Sequence, residues 1–166
     1  MRSAESRCLK TSLVGCAAGI AGGCAMVQFT RLWNMFFWKR RALPYSAQEW
    51  DATSRIAESA AEQVLHRELS KREKKAGAAI AHYGNAAMLG SLYCALVPAN
   101  PRKGYWSGPL FGLAVGLIGN ELLMPALGLN KKPRQYTTKM RINAACEHLV
   151  YGFTVQWVCS KLSCSS

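Results

Sequence analysis

Seven polar side chains set in otherwise apolar runs are the residues here most able to do chemistry: Gln28, His82, Asn85, Asn120, Glu121, Glu147 and His148. Ionisable groups inside membrane-type segments are costly to keep, and they commonly mark proton, ion or substrate paths. A carboxyl removed from water protonates or finds a partner, because desolvation disfavours its charged form. Two histidines and two glutamates can satisfy one another as charged or neutral hydrogen-bonded pairs. Histidine titrates near neutrality, so such a group can sense pH or pass a proton. His82 and His148 on two helices could also ligate a metal or bind a haem axially. The plainest alternative is that these groups only tie helices together by hydrogen bonds. Glu147 and His148 are adjacent, so on a helix they point about 100° apart and one faces the bundle more directly. The sequence contains no G-x-S-x-G, H-E-x-x-H or phosphate loop, which argues against an enzyme and names no metal site.

These side chains must be held by something, and the first impression of what is misleading. The chain has 166 residues, half of them hydrophobic, a formal charge of +12 and a mean hydropathy of −0.01. Those averages suit a soluble, basic nucleic-acid binder of one domain. Charge and grease are nevertheless segregated: residues 11–30, 76–101 and 104–120 contain no Lys, Arg, Asp or Glu. Apolar stretches of about 18 residues or more read as membrane spans. The pattern predicts an all-α polytopic membrane protein, a single domain over 1–166. Four spans are expected, at about 11–30, 76–97, 105–127 and 142–160, in an antiparallel bundle. No nucleic-acid motif accompanies the basic residues, so nucleic acid is not an expected partner.

Between the first two spans, Ser46-Ala47-Gln48-Glu49 forms a capping-box pattern, with Tyr45 and Trp50 placed as a hydrophobic staple. An amphipathic helix over about 46–71 follows, too polar to span and suited to the membrane surface or a partner. Trp33, Trp38, Lys39, Arg40 and Arg41 combine rings with cations, as anchors at a membrane–water interface do. Gly15, Gly19 and Gly23 recur at spacing four on the first span, and Gly108, Gly112 and Gly116 on the third. Such faces let helix backbones approach closely. Pro125 is expected to end or kink the third span and free the Glu121 carbonyl, since proline lacks the backbone donor. The seven cysteines are odd in number, form no C-x-x-C and lie mostly in apolar runs, which reads as small hydrophobes rather than a disulfide framework. Residues 11–30 continue apolar past both cysteines of possible lipoprotein-type cleavage patterns, so an uncleaved helix is expected.

Of the 21 basic residues, ten lie in 31–75 and five in 128–141. The positive-inside rule then places both of these loops in the cytoplasm and both termini outside, with anionic headgroups as the partner of the basic loops. On that topology His82, Glu121 and His148 fall about 9–11 Å in from one membrane face. Similar depth on several helices predicts one convergent cluster of His82, Asn85, Asn120, Glu121, Glu147 and His148.

The order of His82-Tyr83-Gly84, Gly90-Ser91-Leu92-Tyr93, Gly108-Pro109-Leu110-Phe111-Gly112, Pro125-Ala126-Leu127-Gly128-Leu129 and His148-Leu149-Val150-Tyr151-Gly152 resembles the YagU-like family of small bacterial inner-membrane proteins. The resemblance covers about 11–158. It implies a helical fold, a bacterial inner membrane and, from one member, an association with acid resistance. The family has no established biochemical activity and supplies no catalytic residues. The leading expectation is an accessory subunit that packs against itself or a larger membrane complex. The alternative is a pH-responsive or proton-handling protein, and a weaker one is a haem- or metal-binding subunit.

Overall fold

The computed structural model describes residues 2–37, 56, 59, 61, 66, 69–97, 106–128 and 137–164. All regular structure among them is helical. Helix α1 is Arg2–Phe37, α2 is Lys71–Leu96, α3 is Ser107–Ala126 and α4 is Thr138–Cys164. Two of them, over Cys8–Phe36 and Ser107–Ala126, are long and apolar enough to cross a membrane. Helix α2 packs on α1, α1 on α4, and α4 on α3. Helices α1 and α4 thus form the centre, flanked by α2 and α3.

Local sequence explains the helix ends. Ser70 caps α2: its hydroxyl accepts from the Glu73 N–H at 3.3 Å, and the Glu73 carboxylate accepts from the Ser70 N–H at 2.8 Å. This capping box offsets donors that the first turn cannot satisfy internally. Lys71 to Lys75 therefore form the first turn of α2, ahead of the apolar run that starts at Ala76. The expected 46–71 helix lies almost wholly outside the described residues. Ile56, Ser59 and Ala61 are helical. His66, however, has a φ of 48°, and Ser70 is extended, so no helix runs continuously into Lys71. At the other end of α3, Gly128 takes a φ of 69°, the left-handed C-terminal position that favours glycine.

Pro125 does not end α3. Residues Leu117–Leu123 instead adopt π-helical register, and the Met124 N–H reaches the Gly119 carbonyl five residues back. Proline supplies no N–H to the preceding turn, and a π segment is a recognised way to absorb that shortfall without breaking a helix.

The glycine faces are consumed inside the bundle. A Cβ on Gly19 would overlap the Ala86 carbonyl, and one on Gly90 the Gly15 carbonyl. Gly112 faces the His148 carbonyl in the same way, and Gly108 and Gly152 face each other's carbonyls. Gly23 rests more loosely on Ala86 and His82, and Gly116 lies against the His148 ring. Gly90, Gly152 and Gly22, which packs on Tyr151, complete faces whose other halves the spacing had marked.

Small and polar residues fill the interior. The largest fully buried side chains are Glu147, Val155 and Asn143. Leu13, Met35, Phe36, Ile80, Trp106 and Leu122 point outwards. One expectation is overturned: Cys94 and Cys159 form a disulfide, with their Cα atoms 6.5 Å apart. The two cysteines are 65 residues apart in sequence, and they meet because α2 and α4, each antiparallel to α1, run parallel to one another with both C-terminal ends on the same side of the bundle. Cys8, Cys16, Cys24 and Cys146 are free thiols.

Candidate functional site

The polar residues gather at the end of the bundle opposite the disulfide. Helix α4 carries most of them. With 3.6 residues per turn, its consecutive Glu147 and His148 serve different seams. Glu147 points into the α1 seam and is 0 % exposed. Its Oε1 accepts from Asn143 Nδ2 at 2.7 Å and lies 2.5 Å from Thr30 Oγ1. His148 points into the α3 seam, where Gly116 makes room: a Cβ there would come within 2.7 Å of the ring. Its Nδ1 lies 2.8 Å from the Ala144 carbonyl, so Nδ1 carries the proton and donates.

Thr30 holds the feature that matters most for chemistry. Its Oγ1 is 3.0 Å from the Met26 carbonyl and 2.5 Å from Glu147 Oε1. A hydroxyl has only one proton to donate. If Glu147 is a carboxylate, Thr30 donates to it. If Glu147 is protonated, the acid donates to Thr30, and Thr30 donates to Met26. Both arrangements keep every heavy atom in place. A proton gained or lost by Glu147 is therefore accommodated by turning one hydroxyl.

His82 on α2 and His148 on α4 line one small cavity of about 50 Å³ together with Asn85 and Tyr151. The His82 ring stands edge-on to Tyr83, with ring centroids 5.0 Å apart. Tyr151 donates to the Ala86 carbonyl at 2.8 Å, which ties α4 to α2 beside this cavity. The space is of the order of one or two water molecules at ~30 Å³ each, so the two imidazoles are not separated by room for a porphyrin. Among the described residues no three His, Cys, Asp or Glu converge as a metal shell.

A second, larger cavity of about 440 Å³ lies between the π segment of α3 and the start of α4. Asn120, Glu121, Arg141 and His148 line it. Glu121 pairs with Arg141 at 3.9 Å, so the expected single cluster is in fact two neighbouring sites. Glu147, His148 and His82 form the inner one. Asn120 and Glu121 belong to the outer one, and His148 borders both. Asn85 reaches the inner cavity but is otherwise exposed, and Gln28 is exposed. No family model, curated protein or solved structure matches this chain.

Thr30, Asn143, Arg141 and Tyr151 are the site residues that sequence reasoning missed. Asn143 had a signal, since it stands four residues before Glu147 on one helix face. Thr30 had none: a threonine near a helix end is unremarkable until its partner on another helix is known. Among the interfacial anchors, Trp33 packs on Phe29 at 5.6 Å between centroids, while Trp38, Lys39, Arg40 and Arg41 lie outside the described residues.

Proposed function

We propose that this is a small multi-pass inner-membrane protein of four antiparallel spans whose buried carboxyl–imidazole core takes up and releases protons, so that the protein responds to pH. The observation that carries the reading is the Thr30 relay, which accepts either protonation state of a fully buried Glu147. His148 and His82 continue the titratable chain through the small cavity towards α2. Histidine and glutamate chains of this kind are the usual means of moving protons inside a bilayer.

Several features support the membrane setting. Glycine, alanine and polar side chains make up much of the interior, beside Met26, Tyr93, Tyr151 and Val155, while many large apolar side chains face outwards, which suits a lipid surround. Fifteen of the 21 basic residues fall in the sequence segments 31–75 and 128–141, which join or flank the helix ends at the polar side of the bundle and fit a cytoplasmic face. The Cys94–Cys159 disulfide lies at the opposite end, as expected of an oxidising periplasm. The resemblance to YagU-like proteins, one of them tied to acid resistance, agrees with the same location and role.

The accessory-subunit reading ranks second. It relies on glycine faces to dock a partner, and those faces are occupied within the chain. It keeps its appeal from the expected amphipathic helix at about 46–71. The experiment is a pH jump on protein reconstituted in vesicles, with proton uptake followed by a dye in bulk solution. Wild type is expected to take up a proton that Glu147→Gln does not, at equal abundance and equal thermal stability. Equal uptake by both proteins rules out this core. Loss of abundance in Glu147→Gln, with uptake per folded molecule unchanged, returns Glu147 to a purely structural part.

A further inference from the structure

The 440 Å³ cavity between α3 and α4 has a use that the proton relay does not explain. Its size falls in the range of small-ligand sites, about 300–1,000 Å³. Its chemistry is graded along the helices. Glu121 is five residues from Ala126, the last of α3, and Arg141 is three from Thr138, the first of α4. Leu113 lies eight residues deeper than Glu121, about 12 Å further along the axis. Leu117 and Ile142 line the walls between them. One end of the cavity is thus charged and near the helix termini, and the other is apolar and deep.

The charged end offers both signs. Glu121 and Arg141 are 28 % and 48 % exposed, so each is reachable from outside, and their 3.9 Å separation is long for an ion pair. Such a pair contributes little by itself and gives way readily to a better partner. The Asn120 amide nitrogen is buried beside them and has no hydrogen-bond partner among the described residues. A guanidinium binds phosphate with two parallel N–H bonds, and a carboxylate accepts from a primary ammonium.

We propose that this cavity binds one phospholipid with a zwitterionic, primary-amine headgroup, phosphatidylethanolamine. Its phosphate meets Arg141 and Asn120, its ammonium meets Glu121, and the start of an acyl chain lies along Leu117, Ile142 and Leu113. A phosphatidylcholine headgroup has no N–H to give Glu121. A phosphatidylglycerol headgroup has no cation and sets its net negative charge beside the Glu121 carboxylate. The His148 ring closes the deep end, so the lipid seals the inner site from the bilayer.

This site rests on the membrane reading above but not on the proton relay. The test is native mass spectrometry of the full chain in mild detergent, offered equal amounts of the three lipids with matched acyl chains. Wild type is expected to retain phosphatidylethanolamine over either competitor by roughly tenfold, the scale of one charge-assisted hydrogen bond. Glu121→Gln should erase the preference over phosphatidylcholine, and Arg141→Gln should lose all three lipids. Leu117→Trp, which fills the cavity without touching its charges, should also lose all three. Glu147→Gln should keep the wild-type preference. Equal retention of the three lipids by wild type, no retained lipid, or a preference that survives Glu121→Gln would overturn the assignment. Alkaline carbonate extraction separates this failure from failure of the membrane reading. Protein left in the membrane pellet without the lipid preference defeats the lipid site alone, whereas protein released to the supernatant defeats the membrane reading.

Discussion

The two ends of the bundle are held together by different means. At one end, glycines on α1, α2, α3 and α4 bring carbonyls against α-carbons, and a disulfide joins α2 to α4. The N–H of Gly108, left over at the start of α3, is taken by the Gln156 side chain at 2.7 Å. At the other end the helices are separated by side chains: Glu147, Asn143 and Thr30 in one seam, His148 in another, with a cavity on either side of that histidine. Backbone contact leaves no room for a proton carrier or a ligand. Polar side chains and cavities provide that room, and they depend on the glycine end to fix the helices that present them.

Variants that break this contrast should differ in size. The largest effect is expected at the glycine end. Gly108→Leu drives a side chain into the Gly152 backbone, a cost of about 3 kcal/mol or more for overpacking. It should abolish recovery of folded protein in detergent, while the same substitution at Gly119, which has open space around its α-carbon, should be tolerated. Loss of the disulfide is next. Cys94→Ser with Cys159→Ser should lower unfolding stability by about 2–4 kcal/mol. The double variant should still show proton uptake, because the bond lies far from the titrating core. The smallest effect is at the polar end itself: Thr30→Val removes one hydroxyl and should cost only about 1 kcal/mol, since Asn143 still donates to Glu147. Its effect on the proton response should exceed its effect on stability. The reverse outcome would make Thr30 packing rather than relay.

How much of this could be read from the sequence differs between the same two regions. Spacing-four glycines identified the close faces on α1 and α3, because a small residue every turn has few other uses in an apolar helix. Their partners Gly90 and Gly152 were less visible, since each stands without a second glycine at that spacing. The disulfide was invisible: Cys94 and Cys159 look like any cysteines in apolar helices until α2 and α4 are set parallel with their C-terminal ends side by side. Polar residues in apolar runs marked the other end, and their similar depth placed them at one end of the bundle. Depth along a helix says nothing of direction around it. Glu121 was therefore grouped with Glu147, although the structure turns it towards Arg141. Pro125 signalled a disturbance in α3, but whether the helix breaks or changes register depends on packing against α4. The Ser70 capping box is legible only as the S-x-x-E pattern of Ser70-Lys71-Arg72-Glu73.

The central claim concerns one proton on Glu147. Infrared difference spectra of the reconstituted protein between pH 5 and 8, the interval over which histidine ordinarily titrates, test it most directly. The account predicts a carboxylic C=O band in the wild type that is absent from Glu147→Gln and displaced in Thr30→Val. Identical spectra for wild type and Glu147→Gln would contradict it.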